Sequence, residues 1–282
     1  MLRIYKHQHF QEYFISTKCL LLFFFLNNLA ATCQSDSIIV GAERTSLYFS
    51  KLKGKRIGFV ANQTSMIKND HLVDILLNEG VNIVKVFSPE HGFRGNADAG
   101  AKVRDEIDLQ TGLPIYSLYG KSRRKPSKEV LKEIDLILFD LQDVGVRFYT
   151  YISSMHYVME ACAENSIPLI LLDRPNPNGF YVDGPILNPK FKSFVGMHEV
   201  PVVYGMTIGE YAKMINGERW LKDSVKCSLE VIPCLNYNHL IKYNLPIPPS
   251  PNLPNMRSVY LYPSLCFFEG TNVSIGRGTE IP

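Results

Sequence analysis

Along most of the chain, short apolar runs alternate with stretches whose apolar residues recur at helical spacing. Residues 56–61, carrying Ile57, Phe59 and Val60, read as a first strand. Residues 70–78 follow with Leu72, Val73, Leu76 and Leu77 on one helical face, and Gly80 marks the helix end. Residues 82–87 read as a second strand. Residues 127–133 read as a helix with Ser127 as its N-cap and Glu129 in the first turn. Residues 135–141 and 168–172 are continuous apolar runs, the pattern of strands covered on both faces. Between them, residues 151–165 read as a helix whose Met155, Val158, Met159 and Cys162 fill the core. Residues 207–216 add a helix and 228–233 a strand. Strand and helix in repeated alternation predict an α/β fold with a Rossmann-like, doubly wound and mostly parallel sheet.

Two segments break this rhythm. Pro246 to Pro254 holds too many prolines for a helix or a central strand. It reads either as a linker or as a rigid cleft wall, and the aromatic segment 260–268 after it leaves both open. At the N-terminus, Arg3, Lys6 and Lys18 precede the apolar run Cys19–Leu26, and small residues Ala30, Ala31 and Thr32 follow. That is the layout of a secretory signal. Cys33 then stands where a lipoprotein would be processed and lipidated, and simple signal cleavage is the alternative. The signal is expected at 1–33, with a second region beginning around residue 190. Gly276 to Pro282 reads as a loop that stops midway, so the chain is expected to be a piece of a longer protein.

With 282 residues, 46% of them hydrophobic, the chain can bury a large core. A net charge of +3 without a long basic run argues against a nucleic-acid partner. The one basic cluster, Lys121 to Lys125, reads as a solvated loop. Of six cysteines, Cys162, Cys227, Cys234 and Cys266 are scattered beyond the N-terminal segment, with no C-x-x-C pair. Free buried thiols are expected, with at most one bridge, and no thiolate zinc site. No P-loop or G-x-G-x-x-G follows the first strand, so no nucleotide cofactor is expected. A serine-esterase elbow is also absent.

What singles the sequence out is the polar cluster closing each apolar run. The clusters are Asn62-Gln63-Thr64-Ser65, Ser88-Pro89-Glu90-His91-Gly92-Phe93-Arg94-Gly95, Asp140-Leu141-Gln142-Asp143-Val144-Gly145-Val146-Arg147, and Asp173-Arg174-Pro175-Asn176-Pro177-Asn178-Gly179. In an open parallel sheet, ligands bind at the carboxyl ends of the strands, so the four clusters are expected to share one crevice. Carboxylates, amides and arginines suit a polar substrate such as a sugar. Glycoside hydrolysis needs one carboxyl as acid and commonly a second as base or nucleophile. Glu90 is the candidate acid, and a salt bridge to Arg94 is its structural alternative. His91 either orients Glu90 and the sugar or is a satisfied structural histidine. A metal-dependent hydrolase built on Glu90, His91, Asp140 and Asp173 is a further alternative without a recognised ligand spacing.

The same segments resemble the DUF1343 family, whose characterised members are exo-β-N-acetylmuramidases of the NamZ type. The resemblance extends to Val60–Ser65, Asp140–Tyr151, Ser250-Pro251-Asn252-Leu253-Pro254 and Phe268–Thr279. It implies a Rossmann-like catalytic domain, placed at 38–215, followed by a smaller C-terminal domain that begins at 216–282 and continues past this chain, with a cleft between. It also implies removal of terminal N-acetylmuramic acid from peptidoglycan fragments, in the periplasm or from a membrane-anchored lipoprotein, and Glu90 as the catalytic residue. A non-catalytic peptidoglycan-binding lipoprotein is the alternative. Arginine forks bind carboxylates in pairs of hydrogen bonds, so Arg147, Arg174 and Arg277 are candidates for the lactyl carboxylate of that sugar. Ion pairs with Asp143 or Asp173 are their alternative. Asp140, Asp143, Asp173 and Glu269 compete for the second catalytic group, and the substrate's acetamido group is another option. The candidate set is thus Glu90, His91 and Asp143 for chemistry. For binding it is Asn62, Gln63, Arg94, Asp140, Gln142, Arg147, Asp173, Arg174, Glu269 and Arg277, with no metal.

Overall fold

The computed structural model describes residues 37–94, 105–120 and 124–276. The N-terminal apolar run, Cys33 and Arg277 lie outside the described residues. Among the described residues there are nine strands: β1 (Ile57–Ala61), β2 (Met66–Ile67), β3 (Asp70–His71), β4 (Ile83–Ser88), β5 (Glu106–Ile107), β6 (Pro114–Ser117), β7 (Leu136–Asp140), β8 (Leu169–Leu172) and β9 (Leu229–Ile232). The helices are α1 (Phe49–Leu52), α2 (Leu72–Asn78), α3 (Lys128–Leu131), α4 (Tyr151–Glu164), α5 (Ile208–Gly217) and α6 (Met256–Leu265), joined by short 3₁₀ turns.

The central sheet has seven strands in the order β5-β6-β4-β1-β7-β8-β9. Every neighbouring pair is parallel except β5 with β6. Counting only the parallel strands in chain order, this is the 3-2-1-4-5-6 arrangement of a doubly wound fold. The chain runs outward from β1 to β6, returns to β7 on the other side of β1, and runs outward again. The carboxyl ends of β1 and β7 therefore flank the topological switch point.

The continuous apolar runs are explained by packing on both faces. Along β7, Ile137 and Phe139 enter one core with Met155, Val158 and Met159 of α4 and with Ile208, Tyr211 and Ile215 of α5. Leu136 and Leu138 enter the opposite core with Leu72, Val73 and Leu76 of α2. Each fully buried aliphatic side chain contributes on the order of 1.5–3 kcal/mol. Capping follows the sequence: Ser127 accepts from the Val130 amide, and Thr207 forms a capping box with Glu210 at the start of α5. Cys162, Cys227, Cys234 and Cys266 are free thiols, and all but Cys234 are buried.

Two expectations need correction. The boundary at 215/216 would cut the sheet, because β9 lies beyond it yet pairs in register with β8 from Leu229 to Ile232. The described residues from Ile38 onward form one compact unit. The linker reading of the proline-rich stretch also fails. Pro249 is buried, and its carbonyl accepts from the Tyr149 hydroxyl at 2.8 Å and from Gln63 Nε2 at 3.0 Å.

Candidate active site

The strand-end clusters do converge, but most of their polar atoms are used on each other. Asn62 is fully buried after β1. Its Oδ1 accepts from the Thr64 amide and hydroxyl, and its Nδ2 donates to the Tyr151 hydroxyl at 2.7 Å. Asp140, at the end of β7, is fully buried and takes a two-pronged bond from Arg174, at 2.6 Å from Nε and 2.8 Å from Nη2. Arg174 Nη2 also reaches the Met66 carbonyl, which ties β7, β8 and the β2 turn together. Gln142 donates to the carbonyls of Asp143 and Pro175. Asp173 accepts from the Thr207 hydroxyl and the Gly209 amide at the start of α5. Burial lifts its pKa to about 6, against those donors.

Asp143 is buried in the same layer. Its Oδ2 accepts from the Tyr204 hydroxyl and the Gly145 amide. Burial again dominates, pushing the carboxyl up to about 6. The turn requires Gly145 at φ 76°, where a Cβ would run into the Asn176 amide. Asn178 Nδ2 donates to the Val144 carbonyl at 2.9 Å and to the Val259 carbonyl at 3.3 Å. The latter lacks its helical donor because Pro263 sits four residues on, inside α6.

Above this layer lies a cleft of about 750 Å³. Of the residues expected from sequence, Glu90, His91 and Glu269 line it. Glu90 leaves β4 on a tight turn in which the Gly92 amide reaches the Pro89 carbonyl at 3.3 Å. His91 and Gly92 both hold positive φ, 73° and 80°. A histidine in that region is strained, and such strain persists where surrounding structure enforces it. His91 is buried, and Glu90 is half-buried with Oε2 at 3.3 Å from the Thr150 hydroxyl. Thr150 and Tyr151 stand at the start of α4 and share the lining. The opposite reaches of the cleft come from Ser250, Asn252 and Leu253 of the proline-rich segment, Tyr262 of α6 and Glu269.

The remaining candidates are placed elsewhere. Asn62, Gln63, Asp140, Gln142, Asp143, Asp173 and Arg174 do not line the cleft, and their hydrogen bonds brace it from beneath. Arg94 does not pair with Glu90; it forks onto Asp74 and Asp108 on the far side of that turn. Arg147 pairs with neither Asp143 nor Asp173. It is buried, and its guanidinium donates to the carbonyls of Pro185 and Val200. Burial pulls its pKa down. The metal set Glu90, His91, Asp140 and Asp173 is not assembled: among the described residues no group of three or more His, Cys, Asp or Glu could hold an ion.

Arg124 is among the lining residues that the sequence reading did not single out. Arg124, from the basic run expected to be a solvated loop, stands in the cleft wall with its guanidinium 4.2 Å from the centre of the Phe194 ring. The signal was obscured by β6, a four-residue strand that opens on a proline. With β6 recognised, Tyr119 to Lys125 becomes another cluster following the carboxyl end of a parallel strand.

A family model described as the N-terminal part of the exo-β-N-acetylmuramidase NamZ matches residues 57–257, and one for its C-terminal part matches 260–282. The peptidoglycan β-N-acetylmuramidase NamZ of Bacillus subtilis is 46% identical over 244 residues, covering 83% of this chain and 57% of that protein. The chain thus spans little more than half the length of that curated relative. Two crystal structures of DUF1343 family proteins from Bacteroides fragilis are also similar. One has a TM-score of 0.80 at 56% identity, covering 88% of this chain and 66% of its own. The other has a TM-score of 0.79 at 39% identity, covering 87% and 64%.

Proposed function

This chain belongs to the NamZ family of DUF1343 proteins, and from that premise we propose that it is the cleft-bearing part of an exo-acting glycoside hydrolase. The substrate is the terminal β-linked N-acetylmuramic acid of peptidoglycan fragments, released during cell-wall turnover. The carrying observation is Glu90, a half-buried carboxyl presented into a polar and aromatic cleft by a strained turn, with Thr150 on one oxygen.

Glu90 protonates the glycosidic oxygen as the bond to the leaving sugar breaks. Aromatic walls from Phe148, Tyr149, Tyr151 and Tyr262 offer flat apolar faces to the pyranose ring. With Asp140, Asp143 and Asp173 sequestered, Glu269 is the other carboxylate on the lining among the described residues. It is the candidate for the base or nucleophile, with the substrate's own acetamido oxygen as the alternative. Such a substrate lies outside the cytoplasm, so export through the N-terminal apolar run belongs to the same proposal, with Cys33 as the candidate lipid attachment site. The mass of the mature N-terminus tests that part.

Replacing Glu90 with Gln is the decisive experiment. Turnover of the disaccharide N-acetylmuramyl-β-1,4-N-acetylglucosamine, whose sugar leaving group needs the proton, should fall about 10²- to 10⁴-fold, the usual contribution of a positioned acid, while binding of N-acetylmuramic acid persists. Unchanged turnover removes Glu90 from the chemistry. No turnover by the parent chain, with sugar binding intact, favours a peptidoglycan-binding protein instead.

A further inference from the structure

We propose that Arg124 is the group that recognises the lactyl carboxylate of the sugar, and so sets specificity for muramic acid. This rests on the substrate proposed above and adds a residue to it.

The inference starts from charge. Among the described lining residues, Arg124 is the one side chain with a permanent positive charge, and it shares the cleft with Glu90 and Glu269. It forms no salt bridge with a described carboxylate, and its Nε is buried without a hydrogen-bond partner. That contrasts with Arg94 and Arg174, whose guanidinium groups are each committed to carboxylates. What sets Arg124 apart is its place: it is half-buried, borders the cleft and holds no described carboxylate, so the part of its guanidinium on the cleft side can take the carboxylate of a ligand.

The surroundings hold it in place. The guanidinium lies over the Phe194 ring, and Phe194 in turn stacks on Tyr157 of α4 with centroids 6.1 Å apart and planes 16° apart. The next residue, Lys125, is pinned to the same helix by Glu160 at 2.8 Å and Glu164 at 2.6 Å. The helix that carries Thr150 at its head, beside Glu90, therefore also anchors the backbone and the ring that position Arg124. A planar donor fixed against an aromatic face loses little freedom on binding a carboxylate through two parallel bonds. Muramic acid differs from glucosamine in bearing that carboxylate, on an ether substituent of the ring.

The test is binding, which needs no turnover. Affinities of the chain for N-acetylmuramic acid and for its lactyl amide, a neutral analogue of the same shape, are measured by calorimetry or ligand-observed NMR. The parent chain should favour the acid by about 10- to 100-fold, the range of a charge-assisted pair. Arg124→Gln should abolish the preference while leaving amide binding nearly unchanged, and Arg124→Lys should keep part of it. A preference for the acid that survives in Arg124→Gln overturns the assignment, as does a parent chain that does not distinguish the two sugars. If the preference disappears in Arg124→Gln but the parent chain cleaves no muraminide, Arg124 stands and the hydrolase reading falls. If cleavage is intact and the preference survives, the reverse holds.

Discussion

Two layers of polar residues lie at the carboxyl edge of the same sheet, and they behave in opposite ways. The lower layer, with Asn62, Asp140, Gln142, Asp143, Asp173 and Arg174, is buried and bonded to protein groups around it, with Asp143 Oδ1 left without a partner. The upper layer, with Glu90, Arg124 and Glu269, borders open space. Arg174 and Arg124 show the contrast most directly: one is locked on Asp140, the other leaves its Nε without an acceptor. Polar residues at strand ends are thus not one functional class. Those held inside the fold build a rigid base, and those that border a cavity are the ones a ligand can reach.

The sharpest way to break this contrast is Arg174→Ala. It strands Asp140 as a buried charge without its partner, and should cost about 3–5 kcal/mol in urea denaturation. A loss below about 1 kcal/mol would mean the lower layer is not the brace described here. Next comes Asp143→Asn, read through pH. Burial raises the Asp143 carboxyl from 3.8 to about 6, so the folded state holds its proton more tightly than the unfolded chain. The stability this contributes is full below about pH 4 and is lost as pH rises through about 6. Between pH 4 and pH 7 the variant should therefore gain about 3 kcal/mol relative to the parent, at 1.36 kcal/mol per pKa unit. Parallel stability profiles would sink this assignment.

The parent's own profile should be flatter than Asp143 and Asp173 alone would make it. Burial displaces His156 down to about 4 and His198 to about 3, from 6.5. Their contribution is present above 6.5 and lost as pH falls through about 4, opposite in sign to that of the two carboxyls. A smaller effect is expected for Gln63→Ala, which frees the Pro249 carbonyl from one of its donors: about 1 kcal/mol. The smallest is Glu90→Gln, whose stability should stay within about 0.5 kcal/mol of the parent while its turnover collapses. A large destabilisation there would move Glu90 into the lower layer.

The order of strands and helices was legible in the sequence because its cause is local. Residues 136–139 alternate between two apolar cores, so a continuous apolar run is the direct imprint of a strand covered on both faces. Ser127 announced its helix because a cap bonds within its own turn. The short strand β6 was missed, because four residues opening on Pro114 carry too little periodicity, and its place beside β4 comes from parallel pairing with a distant segment. The boundary at 215/216 failed for the same reason, since β9 is held by its pairing with β8.

For the site, the sequence by itself determined which clusters end the strands, and it singled out Glu90 as a candidate that way. Tertiary structure alone decided which side chains remain available. Whether an arginine meets a carboxylate, a carbonyl or an open cleft depends on partners far away in the chain: Arg174 meets Asp140, Arg147 the carbonyls of Pro185 and Val200, and Arg124 the ring of Phe194. Residue type and spacing encode the capacity to bond, and only the packed fold determines which of those bonds are already made.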